Sequence, residues 1–198
     1  MNGYRAASAV VEDGATIGDG TTIWDLSQVR STATVGRDCT IGRNVYVDGD
    51  VVLGDRCKVQ NNALLYGPAR LGDGVFVGPA TVFTNDRHPR AVNPDLSLKR
   101  IDDWESAGVD IATGATIGAG AVVLGGVRIG AWALVAAHAT VTREVAPFAL
   151  VIGSPAQRIA WVGRTGHRLV PEGSGRWRCT DTDRVYHETE AGLDEDAS

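Results

Sequence analysis

Aliphatic residues recur every six positions along most of this chain. From Val11 the series runs through Ile17, Ile23, Val29, Val35, Ile41, Val47, Leu53, Val59, Leu65, Leu71 and Val77 without a slip. It resumes, out of phase, at Ile111, Ile117, Val123, Ile129, Val135 and Val141. Four residues after each comes a small or β-branched side chain, as at Ala15, Thr21, Ser27, Ala33, Cys39 and Val45, and Gly often follows the aliphatic residue directly. An α-helix needs apolar residues at spacings of three and four, so a strict six rejects it, and each repeat reads as a short strand and a turn. Such strands satisfy their backbone groups only by stacking coil upon coil, as in a parallel β-helix. Three six-residue sides make one coil, so the repeats predict about six coils and roughly 29 Å of rise at ordinary strand spacing.

The period is lost from Val82 to Asp110. This insertion carries Asn85, Asp86, Arg87, His88, Arg90, Asp95, Lys99, Arg100, Asp102, Asp103, Trp104 and Glu105. A loop of that length in a compact domain is usually functional or disordered. Trp104 offers an apolar anchor and Pro89 and Pro94 stiffen the path, which favours a lid or an arm reaching a neighbouring subunit. Just before the break, "KVQNNALLYG" places Gln60, Asn61, Asn62 and Tyr66 near the loop base. These fit either a turn with an internal Asn ladder or neutral groups that read sugar hydroxyls and amides.

Composition narrows the function classes. The formal charge of −5 and the absence of a basic run argue against a nucleic-acid surface. No segment approaches the 18 apolar residues of a membrane span and the N-terminus lacks a signal-peptide core, so a soluble cytoplasmic protein is the expectation. With 25 Gly, 3 Phe and 1 Met, the core is built from small repetitive units. Cys39 and Cys57 lie one coil apart and are expected to stack as packed thiols, and Cys179 shows no ligand-like spacing to His. The organisation expected is a β-helix domain over residues 1–162, with its loop insertion at 83–110. A C-terminal extension follows over 163–198: a small hairpin using Trp177 and Tyr186, then a disordered acidic end.

The motif aliphatic-Gly-x-x-small-x resembles the hexapeptide repeat of the left-handed β-helix acyltransferases. General crossover rules favour the right hand, so the left hand of this all-β, left-handed parallel β-helix is implied by the resemblance alone. The runs "VQNNALLYGPA", "VFTNDRHPRA" and "VIGSPAQRIAWVGRTGHRL" look like the N-acetyltransferases that act on the 3-amino group of UDP-linked 2-acetamido-3-amino-2,3-dideoxyglucuronate for surface polysaccharide biosynthesis. Similar motifs occur in enzymes acting on dTDP-3-amino-3,6-dideoxyhexoses. The resemblance covers roughly residues 10 to 170. It implies acetyl-CoA as cosubstrate, no metal, a homotrimer and a nucleotide-sugar acceptor.

The resemblance carries onto Asn85 a place at the reacting amine. Asparagine cannot titrate, so it would orient rather than deprotonate. His88 is the candidate base, since an unperturbed imidazole suits the task; otherwise the departing thiolate takes the proton. Arg90 is the candidate partner for a sugar carboxylate or pyrophosphate, since a guanidinium forks onto such anions. For coenzyme A the family implies backbone contacts near Gly120, Ala121, Gly126, Ala136 and Ala137, with Arg143 and Arg158 for the phosphates. "GSPA" at 153–156 departs from the family's GNPA turn, and His138 falls where a small residue is usual. A zinc carbonic anhydrase on the same scaffold is the competing class. It needs three convergent imidazoles, from His88, His138 and His167.

Overall fold

The computed structural model describes residues 3–196. The chain forms a left-handed parallel β-helix with three faces. The first face stacks Val10–Val11, Gln28–Val29, Tyr46–Val47, Leu64–Leu65, Val82–Phe83, Val122–Val123 and Thr140–Val141. The second stacks Thr16–Ile17, Thr34–Val35, Val52–Leu53, Arg70–Leu71, Asp110–Ile111 and Arg128–Ile129. The third runs from Thr22–Ile23 through Thr40–Ile41, Lys58–Val59, Phe76–Val77, Thr116–Ile117 and Leu134–Val135 to Ala149–Ile152, where Gln157–Trp161 pairs antiparallel. The hand implied by the resemblance is the hand observed.

Two-residue strands explain why the period is six. The second residue of nearly every pair is the aliphatic one and points inward, while the first faces out. The small residue two positions before each strand's inward residue also turns in at the corner, as with Ala33, Cys39, Ala63 and Ala115. Between them the corner residue takes a left-handed φ at six-residue intervals, as at Thr32, Asp38, Asn44, Asp50, Arg56 and Asn62. Polar corner residues such as Asn and Asp tolerate that conformation best. Where small inward residues carry a hydroxyl, it is satisfied: buried Thr21, Ser27 and Thr81 donate to the carbonyls of Gly36, Gly42 and Gly118. Cys39 and Cys57 are both buried and free, as their spacing predicts, each thiol 3.2 Å from a glycine carbonyl one coil on.

The break in the sequence is narrower than the pattern suggests. Phe83 occupies the aliphatic position, fully buried, and Val82–Phe83 pairs with Leu64–Leu65 below and Val122–Val123 above like any other strand. The chain leaves the prism after Asn85 and rejoins at Ala107, whose N–H donates to the Asn85 carbonyl at 2.8 Å. At the return, a Cβ on Gly108 would lie 1.6 Å from the Pro68 carbonyl oxygen, so only glycine lets the incoming strand dock there. Within the insertion Val92 and Leu98 form an antiparallel bridge and Ile101–Asp103 a single 3₁₀ turn. Leu96, Leu98 and Ile101 point outward, 77 to 80% exposed.

The C-terminal extension departs from expectation. Instead of a hairpin with a disordered end, Val170–Gly173, Arg176–Arg178, Val185–Thr189 and Gly192–Glu195 form a four-stranded antiparallel sheet. Tyr186 packs edge-on to Phe148 with ring centroids 5.1 Å apart, and Leu193 is buried within the stretch read as an acidic tail. Glu195 explains why acidic residues belong in an ordered strand: it pairs with Arg164 at 2.6 Å and Arg184 at 2.8 Å. The end of that tail, residues 197 and 198, lies outside the described residues.

Candidate functional site

Register fixes what stands above what. Along the first face the inward residues Val11, Val29, Val47, Leu65, Phe83, Val123 and Val141 are direct partners. The residues that follow them form columns at the corner between the first and second faces. One column is Glu12, Arg30, Asp48, Tyr66, Thr84, Leu124 and Thr142; the next is Asp13, Ser31, Gly49, Gly67, Asn85, Gly125 and Arg143. Asn85 therefore sits where the insertion departs, directly over Gly67.

The Asn85 side chain has a defined orientation. Its Nδ2 donates to the Gly67 carbonyl at 2.7 Å, and Ser106 Oγ donates to the same oxygen at 3.0 Å. An amide that spends its NH₂ on a carbonyl must turn its oxygen the other way. Oδ1 is thus presented as an acceptor, the complement of an amine N–H. The residues on either side of Asn85 in sequence, Thr84 and Asp86, line a hollow of about 530 Å³ together with Arg87, His88, Pro89 and Leu124. The insertion's first turn is held by Asp86, whose carboxylate accepts the His88 N–H at 2.8 Å, and this places the His88 side chain on the hollow's wall.

Arg87 was not singled out by motif, yet it is the cation that the hollow holds. Its guanidinium lies about where a side chain on Gly126 would extend, 3.5 Å from the place of a Cβ there, and Gly126 itself adopts φ +78°. Arg90, the expected anion partner, instead turns Nη1 back onto the Pro89 carbonyl at 2.7 Å and lines no part of the hollow. Arg143 is exposed at the same corner, two coils beyond Asn85, roughly 10 Å by strand spacing.

Several candidates belong elsewhere. Gln60, Asn61 and Asn62 stand at the opposite edge of the first face, at its corner with the third. There Asn61 Oδ1 accepts the Arg43 N–H at 2.8 Å and Asn44 donates to Asn62 Oδ1 at 2.9 Å. Asn61 and Asn62 thus join adjacent coils. Tyr66 alone of that group shares the Asn85 corner, its ring 5.6 Å from Tyr46. Ala121 faces the interior with its N–H and C=O both engaged in the coil stack, so it is not open to a cofactor. Gly120 is covered by the His138 imidazole, which would lie 2.7 Å from a Cβ there. Ala136 and Ala137 share this second corner. Arg158 stacks over Trp161 at 4.1 Å, on the third face. His88, His138 and His167 do not converge: His167 pairs with Asp181 in the C-terminal extension, and among the described residues no three His, Cys, Asp or Glu side chains gather to hold a metal.

The column next to that of Asn85 is polar and continuous up to Thr84, which the 18-residue spacing of Glu12, Arg30, Asp48 and Tyr66 could have revealed. Glu12 accepts the Ser31 N–H at 2.9 Å, lies 2.7 Å from Arg30 Nε and accepts the Gln28 amide at 3.0 Å. The Ser31 N–H foremost, then Arg30, hold its carboxyl down at about 2, against an ordinary 4.5. A depressed folded-state value means the contribution is present above the unfolded value and is lost as pH falls through the folded one. Replacing Glu12 by Gln is therefore expected to flatten the acid side of the thermal-midpoint profile between pH 4.5 and 2 and leave its shape above that range unchanged. A profile of unaltered slope in that window would show that the contacts contribute nothing.

Comparison with known proteins agrees with this architecture. Residues 14–49 and 32–67 match the family model described as bacterial transferase hexapeptide (six repeats). The matched stretch is the first half of the prism, where the six-residue period runs without a slip. The chain is 33% identical over 91 residues to a protein of Schizosaccharomyces pombe named as an acetyltransferase, a stretch covering 45% of this chain and 41% of that one. The chain thus spans less than half the length of this curated relative. Among solved structures, a UDP-N-acetylglucosamine acyltransferase of Bacteroides fragilis aligns with TM-score 0.65 and 18% identity over 81% of this chain and 61% of that one. An N-acyltransferase of Bacillus cereus, in a variant complexed with dTDP and coenzyme A, aligns with TM-score 0.53 and 17% identity over 83% of each. At such identities the likeness establishes the fold alone.

Proposed function

We propose that this protein is an acetyl-CoA-dependent N-acetyltransferase whose acceptor is a nucleotide-linked amino sugar, and that the acceptor is the 3-amino group of UDP-2-acetamido-3-amino-2,3-dideoxyglucuronate. The observation that carries the reading is the fixed amide of Asn85 at the foot of the insertion: its Nδ2 is committed to the Gly67 carbonyl, which leaves Oδ1 as the acceptor for an amine N–H. The hexapeptide repeat, and similar folds whose named ligands are coenzyme A and a nucleotide, support the same class.

Acetyl transfer to an amine needs the nitrogen lone pair aimed at a thioester carbonyl and a route for one proton. Acetyl-CoA supplies the activated acyl group. Asn85 Oδ1 holds one amine N–H, so the lone pair is directed away from the prism wall. His88, on the wall of the hollow at this corner, is the imidazole that takes the proton in this reading. Arg87, not Arg90, meets the acceptor's carboxylate: a guanidinium at the hollow's edge pairs with it in a forked geometry that a 6-deoxy sugar lacks. Arg143, in the Asn85 column, is the phosphate partner on the donor side, and the small residues of the later coils permit close approach. A single prism has one wall at this corner. Neighbouring copies in a homotrimer, checked by sedimentation against the 20.8 kDa chain mass, supply the other, and the outward Leu96, Leu98 and Ile101 give the insertion an apolar surface to bury against them.

The test offers the purified protein acetyl-CoA with UDP- and dTDP-linked 3-amino sugars, with and without a C6 carboxylate, and follows thiol release. Turnover is expected to favour the acid, by about tenfold or more for one charge-assisted pair. Arg87→Ala is expected to erase that preference by raising KM for the acid sugar alone. Equal use of both acceptors by the wild type would move the assignment to the dTDP-3-amino-3,6-dideoxyhexoses, and no thiol release with any amine would sink the acetyltransferase reading.

A further inference from the structure

One chain of contacts runs down the first corner from Asn85 through four coils. The Gly67 carbonyl receives Asn85 Nδ2 at 2.7 Å, and the Gly67 N–H donates to Asp48 Oδ2 at 3.3 Å. Asp48 Oδ1 accepts the Tyr46 hydroxyl and the Gly49 N–H, both at 2.9 Å. The Tyr46 oxygen in turn accepts from Arg30 Nη1 at 3.2 Å, and Arg30 pairs with Glu12. At the opposite corner the described side-chain contacts are shorter: Asn44 donates to Asn62, and Asn61 accepts the Arg43 N–H.

We infer that Asp48 is a positioning residue for the acetyl-transfer site, acting through Gly67 to hold the Asn85 amide with its oxygen toward the acceptor, with Tyr46 and Arg30 fixing Asp48 in turn. The inference rests on the function proposed above for the role it gives Asn85. Its physical content is geometric. Gly67 has no side chain to lock its place, so its peptide groups are set by what they bond. A carboxylate accepting three hydrogens from three directions is a rigid post, since hydrogen bonds to a charged acceptor are about twice as strong as neutral ones. Burial, followed by the nearby Asp48 carboxylate, raises the Tyr46 phenol above its ordinary value, so it remains a donor to Asp48. A shift of Gly67 by an ångström moves the partner of Asn85 Nδ2 and frees the amide to turn over. Misplacement on that scale is worth on the order of 100-fold in rate when it touches a reacting group.

Two readouts test this, one independent of any enzyme activity. In the ¹⁵N–¹H spectrum of the full chain, the side-chain NH₂ pair of Asn85 is identified as the pair missing from Asn85→Ala. Asp48→Ala is expected to shift that pair and speed its hydrogen exchange at least tenfold, while Asp50→Asn, two residues away on the exposed corner, leaves it in place. An unmoved pair in Asp48→Ala overturns the inference whether or not the protein transfers acetyl groups. In the acetyl-transfer assay, Asp48→Ala is expected to lower kcat about tenfold or more with KM for acetyl-CoA unchanged, and Asp48→Asn, which keeps an acceptor oxygen, to recover part of it. Placed on top of Asn85→Ala, Asp48→Ala is expected to cost nothing further; an equal loss in both backgrounds would mark Asp48 as merely structural and overturn the inference. A shifted NH₂ pair in Asp48→Ala, with a wild-type protein that acetylates no amine, would keep the contact chain and discard the acetyltransferase reading instead.

Discussion

Replacing Asn85 by Ala is expected to lower kcat/KM for acetyl transfer by about 100-fold, while the thermal midpoint moves by only a few degrees. The first number follows from losing the acceptor that orients the amine, since misorientation of a nucleophile is worth about that much. The second follows from the lost bond to the Gly67 carbonyl, which Ser106 continues to satisfy at 3.0 Å; one neutral hydrogen bond contributes about 1 kcal/mol. Stopped-turnover assays with saturating acetyl-CoA and differential scanning of the same preparation measure both. Asn85→Asp is the informative companion. It retains an acceptor oxygen but has no NH₂ for Gly67, and its charge faces a carbonyl lone pair, so the carboxylate turns away and activity falls to nearly the Ala level. Wild-type turnover in the Ala variant would remove Asn85 from the chemistry.

Phe83→Ala is expected to cost about 3 to 5 kcal/mol, as for other fully buried phenylalanines truncated in cores, and to lower the thermal midpoint by roughly 10 °C or more. Phe83 is fully buried in a row otherwise made of Val and Leu, between Leu65 and Val123. Parallel two-residue strands above and below are held at fixed spacing by the ladder, so the coils do not close around the hole. A substitution to Leu, the size used one coil below, is expected to cost much less, near the 1 kcal/mol of a tolerated core change. Because Thr84 and Asn85 follow directly, the Ala variant is also expected to lose turnover at temperatures where it is still folded. A midpoint within two degrees of wild type would mean that the interior relaxes to fill the space.

The prism was legible in the sequence because its physics is one-dimensional. Each coil contacts only its neighbours, so a six-residue pattern specifies face, direction and burial at once, and Cys39 above Cys57 followed from arithmetic. The same arithmetic applied to Glu12, Arg30, Asp48 and Tyr66 exposes the polar column at the Asn85 corner. It would also have sent Gln60, Asn61 and Asn62 to the opposite corner, since their columns lead to His138 and not to Asn85. What no spacing encodes is the path of the insertion. Arg87 and Arg90 are three residues apart, of one type, in one loop. Which of them faces the hollow depends on Asp86 capturing the His88 N–H and on Gly126 leaving room, both contacts set by the folded loop. The C-terminal extension failed for a different reason: its apolar residues are few, and Tyr186 and Leu193 are buried only because the last coils and Arg164 offer them partners.

The insertion enters and leaves the prism at neighbouring backbone positions clasped by a single bond between Ala107 and Asn85, with strand register undisturbed on either side. Loop length is therefore nearly invisible to the scaffold, because doubling it adds only about 0.6 kcal/mol of closure entropy. On the proposed function, acceptor recognition is in this sense modular. The insertion can be lengthened, shortened or rebuilt, while Asn85 and the Asp48 post keep their places on the prism side of the clasp.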